Sequence, residues 1–116
     1  MKFVALVVIT SAECESEVKA LAKEAGAVGA TIIDAKGSGI EEKKSFFSLT
    51  FEGNQSVLLY VLEAGLGRKV LRALKQYFDN PENDGLAFTT PMNFIVGLDK
   101  KLLHKFETNI EQEERL

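Results

Sequence analysis

The sequence contains very little cysteine or histidine. In 116 residues there is one cysteine, Cys14, and one histidine, His104. A single cysteine cannot form an internal disulfide, which fits a reducing compartment. One histidine and one distant cysteine are too few ligands for a catalytic metal site, so we expect no metal centre of that kind.

The chain also lacks an excess of positive charge. It has 14 lysines and arginines against 17 acidic residues, for a net charge of −3. This balance excludes the basic face that is typical of nucleic-acid-binding domains, so we expect no nucleic-acid partner.

No apolar run approaches the roughly 20 residues that span a bilayer. The apolar residues 3–9 resemble a short signal peptide, but no clear small-residue cleavage site follows them. Instead, Glu13, Glu15 and Glu17 come directly after this run. We therefore predict a soluble, cytoplasmic protein.

The composition is that of one globular domain with a tail. An apolar fraction of 46% and a charged fraction of 27% are enough for one core and disfavour disorder along the whole chain. We predict a domain over residues 1–99 and a C-terminal tail over residues 100–116. The tail has apolar residues at helical spacing, and it is either a helix packed on a neighbouring subunit or a partner-binding helix.

The first half of the chain predicts a strand, a helix and a second strand. Residues 3–9 form a short β-branched run, and residues 10–13 (Thr-Ser-Ala-Glu) have the pattern of a capping box at the start of a helix. Gly26 ends the helical pattern, and residues 30–35 form the next apolar run.

The second half repeats this order. We predict strands at residues 45–51 and 57–62 with a turn at 53–55, then a helix after Gly65 and Gly67. Two short strands follow, residues 86–89 and 94–98, split by Pro91. The pattern predicts an α+β, ferredoxin-like βαββαβ fold, with both helices on one face of an antiparallel sheet and crossovers that join parallel neighbours. The other face is apolar and bare, so we expect a symmetric oligomer to cover it.

No group of residues has the pattern of a catalytic site. Cys14 lies in the first turn of a helix, but no resolving cysteine or histidine lies near it. Residues 41–44 are typical of a solvated loop, and residues 65–69 are either an anion-attracting helix N-terminus or plain surface. We predict no catalytic residues and no enzyme activity.

Gly37-Ser38-Gly39 is the one glycine-rich motif after a strand. It resembles the start of a dinucleotide fingerprint, but the third glycine is missing because position 42 is glutamate. Two interpretations remain: backbone amides that hold an anion, or a hinge for the following loop.

Two segments together resemble one family. Residues 28–39 (VGATIIDAKGSG) are similar to the strand of the PII nitrogen-regulatory signalling proteins that ends in Lys-Gly-x-Gly and opens their T-loop. Residues 83–91 (NDGLAFTTP) are similar to that family's Gly-Asp-Gly-Lys-Ile-Phe and Thr-Pro segment. Over residues 1–100 the chain resembles a divergent PII protein with a shortened T-loop.

This resemblance implies a homotrimer of ferredoxin-like subunits. It implies an adenine nucleotide, with ADP, AMP and ATP as candidates, in the clefts between subunits. It also implies that the loop after Gly37 acts on a protein target, for which a membrane transporter is one candidate. The ligand-binding residues that it implies are Thr31, Lys36, Gly37, Ser38, Gly39, Asp84 and Gly85.

The chain differs from the PII family at the positions that contact phosphate in that family. Ile40 and Glu41 replace arginine and glutamine, Leu86 replaces lysine, and Gly97 and Asp99 replace paired arginines. Because a triphosphate needs paired cations, we expect its site to be impaired and a less charged nucleotide to be favoured. The alternatives are a CutA-like trimeric metal-binding protein, with carboxylates at subunit boundaries, and an enzyme with a site on the sheet.

Overall fold

The computed structural model describes residues 2–38 and 52–97 of the chain. The elements follow the order β1 (Phe3–Ser11), a 3₁₀ turn (Ala12–Cys14), α1 (Glu15–Ala25), β2 (Thr31–Ser38), β3 (Glu52–Glu63), α2 (Ala64–Asp79) and β4 (Gly85–Met92). The predicted strand at residues 45–51, the boundary at residue 99 and the tail at 100–116 lie outside the described residues.

The four strands form one sheet in the order β2-β3-β1-β4. Each neighbouring pair is antiparallel. Together with the two helices, this order confirms the predicted α+β, ferredoxin-like fold. The prediction that each crossover joins parallel neighbours is wrong. β1 and β2 run parallel, but β3 returns antiparallel from β2 and fills the place between them.

The core lies between the helices and one face of the sheet. Alternate residues of β1 and β3 point to this face, and Leu6, Val8 and Leu58 have no exposed surface there. Gly67 lets α2 approach the sheet closely, because a Cβ at this position would lie 2.9 Å from Val4 Cγ2. The side chains buried in the core are Leu6, Val8, Cys14, Val18, Ala22, Ala27, Leu58, Tyr60, Leu62, Val70 and Leu74.

The ends of the helices follow the sequence signals in part. α1 ends as predicted at Gly26, which has a left-handed φ of 118°. The predicted capping box does not form: Thr10 lies in β1, and Ser11 makes no side-chain hydrogen bond to the turn that follows it. α2 begins at Ala64, so Gly65 and Gly67 lie inside the helix rather than before it.

Two predicted interruptions of the strands are wrong. Residues 53–55 were expected to form a turn, but they lie within β3 and pair with β2. Hydrogen bonding to a neighbouring strand outweighs the local turn preference of Gly-Asn-Gln. β4 runs as one strand through Pro91, which an edge strand tolerates because one side of its backbone faces away from the sheet. Residues 94–97 are not in a strand.

The face of the sheet opposite the helices, called here the open face, is apolar and bare as expected. Val57, Leu59 and Val61 point to it, alternating with the buried residues of β3. Val61 is 47% exposed and Phe88, on β4, is 42% exposed. Within the described ranges, no helix is long and apolar enough to cross a bilayer.

Candidate functional site

Lys36, Gly37 and Ser38 form the end of β2. Residues 30–35 were predicted as the strand, but it continues to Ser38, whose partner across the sheet is Glu52. Lys36 is exposed and pairs with Asn54. Gly37 and Ser38 are thus paired within the sheet up to the point where the described part of β2 ends, and the hinge interpretation of Gly37 and Gly39 stays a prediction. Gly39, the remaining residue of the predicted motif, lies outside the described residues.

Asp84 and Gly85 lie where the chain enters β4. The Thr10 hydroxyl, which has no exposed surface, donates a 2.7 Å hydrogen bond to the Asp84 carbonyl oxygen. Gly85 pairs with Thr10 in the sheet, and a Cβ on Gly85 would collide with the ring of Phe78. Glycine is thus required here by packing, independently of any ligand that approaches the backbone.

The structure brings these two segments to the same end of the sheet. Asp34, Ser56, Thr10 and Gly85 form one row across the four strands. Since neighbouring strands lie about 4.8 Å apart, the two ends of this row are separated by about 14 Å. The segments at Lys36 and Asp84 thus share an end of the sheet but lie at its opposite edges.

Thr31 does not lie with the other predicted site residues. It begins β2 and is exposed, and its partner is Leu59, so it projects from the open face. Six residues separate it from Gly37 along one strand, a distance of about 20 Å at 3.3 Å per residue. Thr31 and Gly37 of the same chain therefore lie too far apart to contact one adenine ring or one phosphate group together.

Polar side chains that the sequence analysis did not select fix this end of the sheet. The Ser56 hydroxyl donates a 2.6 Å hydrogen bond to Glu15 Oε1 and so ties β3 to the start of α1. The sequence pattern assigns Thr10 to a helix cap and leaves Ser56 between the predicted turn at 53–55 and the predicted strand at 57–62. Neither pattern indicates a partner that lies far away in the sequence.

The N-terminus of α2 is not available to an external anion. The backbone N–H groups of Gly65 and Leu66 donate to the two carboxylate oxygens of Glu63, at 2.8 and 3.1 Å. Of the two interpretations left open for residues 65–69, anion binding is therefore wrong. The side chain that precedes the helix already satisfies these donors.

Cys14 is 7% exposed and packs in the core. This placement supports a structural role for the thiol. Among residues 2–38 and 52–97, no three side chains of histidine, cysteine, aspartate or glutamate come together as metal ligands.

Comparison with known proteins identifies similar chains. The profile of the family "Nitrogen regulatory protein P-II" matches residues 1–100. No curated protein sequence matches the chain.

Several solved structures share the fold. A protein described as PII-like and signalling, from Thermus thermophilus, is 18% identical with a TM-score of 0.62, over 79% of this chain and 87% of that chain. CPII from Thiomonas intermedia K12, bound to ADP, AMP and acetate, is 15% identical with a TM-score of 0.62, over 78% of this chain and 86% of that one. The same protein bound to ADP, AMP and bicarbonate gives 16% identity and a TM-score of 0.60, over 84% of this chain and 98% of that one.

Proposed function

Because the chain belongs to the P-II family of nitrogen regulatory proteins, we propose that it is a cytoplasmic regulator and not an enzyme. It assembles as a homotrimer and binds a small-molecule effector in the clefts between subunits. Through the loop after Gly37 it acts on a protein target.

The observation that carries this proposal is the distance of about 20 Å between Thr31 and Gly37 on β2. A single adenine or phosphate group that contacts both residues takes them from different subunits. A ring of three identical subunits has head-to-tail interfaces, in which different surfaces of the two copies meet. Thr31 of one copy then meets Lys36, Gly37 and Ser38 of the next.

The open face supports the assembly. Ile33, Val61 and Phe88 are between 42% and 47% exposed, and all three lie on the face that the helices leave bare. Removing apolar surface of this extent from water stabilises the assembly that buries it. Three copies that turn these faces toward one another would bury it.

For the effector we propose ADP or AMP rather than ATP. CPII, which shares the fold, was solved with ADP and AMP. In this chain Leu86 is apolar and half-buried at the entrance to β4, where the family's lysine would contact phosphate. With Lys36 as the remaining exposed cation of the motif, fewer phosphate charges can be balanced. The proposed site consists of Thr31 from one subunit and Lys36, Gly37, Ser38, Gly39, Asp84 and Gly85 from the next.

The loop that acts on the target follows the end of β2. Ser38 and Glu52, the described residues that flank this segment, are paired across β2 and β3. A ligand beside Gly37 therefore lies at the root of this loop. A membrane transporter is one candidate target.

No observation favours the metal-binding alternative. The described part of the chain contains no cluster of metal ligands, and the family match supports the regulatory hypothesis.

A thermal-shift and calorimetric titration with ADP, AMP and ATP tests the proposal. A ligand that binds only the folded state adds about 2.7 kcal/mol at a hundredfold excess over its dissociation constant. We expect stabilisation by ADP or AMP, its loss in Gly37→Val, and a weaker effect in Lys36→Gln. Lys69→Gln, an exposed lysine on α2, is the control for charge and should bind as the parent does. Absence of a shift with all three nucleotides, or equal binding by Gly37→Val, would contradict the proposal.

A further inference from the structure

A second candidate site lies on the helix-covered side of the sheet. A cleft of about 220 Å³ opens between the second half of α1 and the start of β2. Its lining comprises Lys19, Lys23, Ala27, Gly29, Ala30, Ile32 and Tyr60. Ile32 and Thr31 are successive residues of a strand and point to opposite faces, so this cleft is separated by the sheet from the surface that carries Thr31.

Tyr60 is the polar group in the floor of the cleft. Only 3% of its surface is exposed, and its hydroxyl makes no hydrogen bond with any residue that the structure describes. This hydroxyl is not among the described side-chain atoms that are fully enclosed without a partner, so it is open to the cleft that Tyr60 lines, where water or a ligand can accept its hydrogen bond. The hydroxyl is protonated and able to donate at neutral pH, as an ordinary phenol is, and burial raises the pKa of Tyr60 further above 10.0.

Two cations stand at the rim of the cleft. Lys19 and Lys23 are four residues apart on α1 and so lie on the same side of the helix. Both are exposed, and neither forms an ion pair with another residue of the described ranges. The two ammonium groups are therefore free to approach one ligand that also reaches the phenol.

The remaining wall is apolar and small. Ala27, Ala30 and Ile32 present methyl groups, and a Cβ placed on Gly29 would meet no atom within 4 Å. The volume is below the roughly 300 to 1,000 Å³ of clefts that hold drug-sized ligands. The cleft therefore fits a short carbon chain rather than a nucleotide.

We propose that this cleft binds a small organic dianion, in which Lys19 and Lys23 balance the negative charges and the Tyr60 hydroxyl donates to one anionic oxygen. The short apolar body of the ligand packs against Ala27, Ala30 and Ile32. The site is separate from the proposed nucleotide site between subunits, and its ligand binds whether or not a nucleotide does.

The experiment titrates the ¹⁵N-labelled full chain with succinate, glutarate, glycerol phosphate and inorganic phosphate. Binding is measured from the changes in amide chemical shifts. Sodium chloride holds the ionic strength constant, since exposed charges respond to salt alone. We expect saturable shifts that cluster in residues 19–32 and 58–60 with at least one of the three organic anions. Glycerol phosphate distinguishes a phosphate ester from a dicarboxylate as the source of the charge.

The variants distinguish binding in this cleft from binding between subunits and from a general effect of surface charge. We expect Lys19→Gln and Lys23→Gln each to weaken binding, the double variant by about tenfold, and Tyr60→Phe to weaken it while keeping the ring in the core. Lys69→Gln, which removes a lysine from α2, and Gly37→Val should bind as the parent does.

Four results would overturn the proposal, and three of them concern the anions and the two lysines. They are shifts that do not saturate with any organic anion, binding of inorganic phosphate as tight as that of the best organic anion, and unchanged binding in the Lys19→Gln, Lys23→Gln double variant. Loss of binding in Gly37→Val would also contradict it, because that result would assign the ligand to the interface between subunits.

Discussion

The two faces of the sheet differ in what covers them. On the helix face, Leu6, Val8 and Leu58 have no exposed surface. On the open face, Ile33, Val61 and Phe88 retain between 42% and 47% of theirs, although these side chains are equally apolar. A single subunit can cover only one face with its two helices. Under the proposed homotrimer, the second face is the part of the molecule whose stability depends on other copies.

The largest loss of stability is expected for a substitution on the helix face. Leu58→Ala leaves a cavity in the core, and such changes typically cost about 2–5 kcal/mol. Urea unfolding should show this loss at every protein concentration. Val61→Ala is the matched change on the open face of the same strand. Its effect should grow with protein concentration, because assembly stabilises the folded state by mass action. If both variants responded to concentration in the same way, the difference between the two faces would be refuted.

The next largest loss of stability is expected on substitution of Gly85, which packs against the ring of Phe78. Gly85→Ala should overpack this contact and cost about 1–3 kcal/mol in urea unfolding. Phe78→Leu made together with Gly85→Ala should recover part of the loss, because it removes the ring that the new methyl group meets. No recovery in the double variant would show that the glycine is needed for a reason other than this packing.

A smaller loss is expected at the start of α2. Glu63→Ala leaves the backbone N–H groups of Gly65 and Leu66 without their carboxylate partner, at a cost of about 0.5–2 kcal/mol. Glu82→Ala, an exposed acidic residue after α2, is the control and should have little effect. Equal losses in thermal unfolding of the two variants would argue against the capping role of Glu63.

The smallest effect on the free energy of unfolding near neutral pH is expected from Tyr60 and Tyr77, which lie on the helix side of the sheet. Burial raises the pKa of Tyr60 and of Tyr77 above the ordinary value of 10.0, and at Tyr77 the neighbouring Cys14 and Glu17 add to this. Above pH 10 the folded chain keeps protons that the unfolded chain has lost. The free energy of unfolding should therefore be unaffected by these groups below pH 10 and should fall as the pH rises above it. Tyr60→Phe should reduce this alkaline loss, as followed by urea unfolding between pH 8 and 11. A loss that is unchanged in Tyr60→Phe would mean that this tyrosine does not cause it.

The fold was predictable from the sequence because its elements have strong local signals. The apolar run of β1 and the glycine at the end of α1 both indicate structure within a few residues. Predictions failed where a partner far away in the sequence determines the local structure. Thr10 bonds to the Asp84 carbonyl rather than to the helix next to it, and residues 53–55 pair with β2 instead of turning. The place of β3 between β1 and β2 also depends on pairing across the chain.

The candidate site was predictable only as a set of residues. The resemblance of two segments to the PII proteins selects Lys36, Gly37, Asp84 and Gly85, which the structure brings to one end of the sheet. It also selects Thr31, which lies far from Gly37 along the strand. The cleft at Tyr60 escaped the sequence analysis altogether, because the residues that line it come from α1, β2 and β3 and form no local motif.

The most direct test of the account is a subunit-mixing experiment with Thr31→Val and Gly37→Val, each of which should abolish or strongly weaken ADP binding alone. If a site takes Thr31 from one subunit and Gly37 from the next, unfolding and reassembling the two variants together restores intact interfaces. Random mixing in equal amounts should then return about a quarter of the parent's ADP sites by calorimetry. If mixing restores no binding although heterotrimers form, as mass spectrometry would show, the site does not take Thr31 and Gly37 from different subunits.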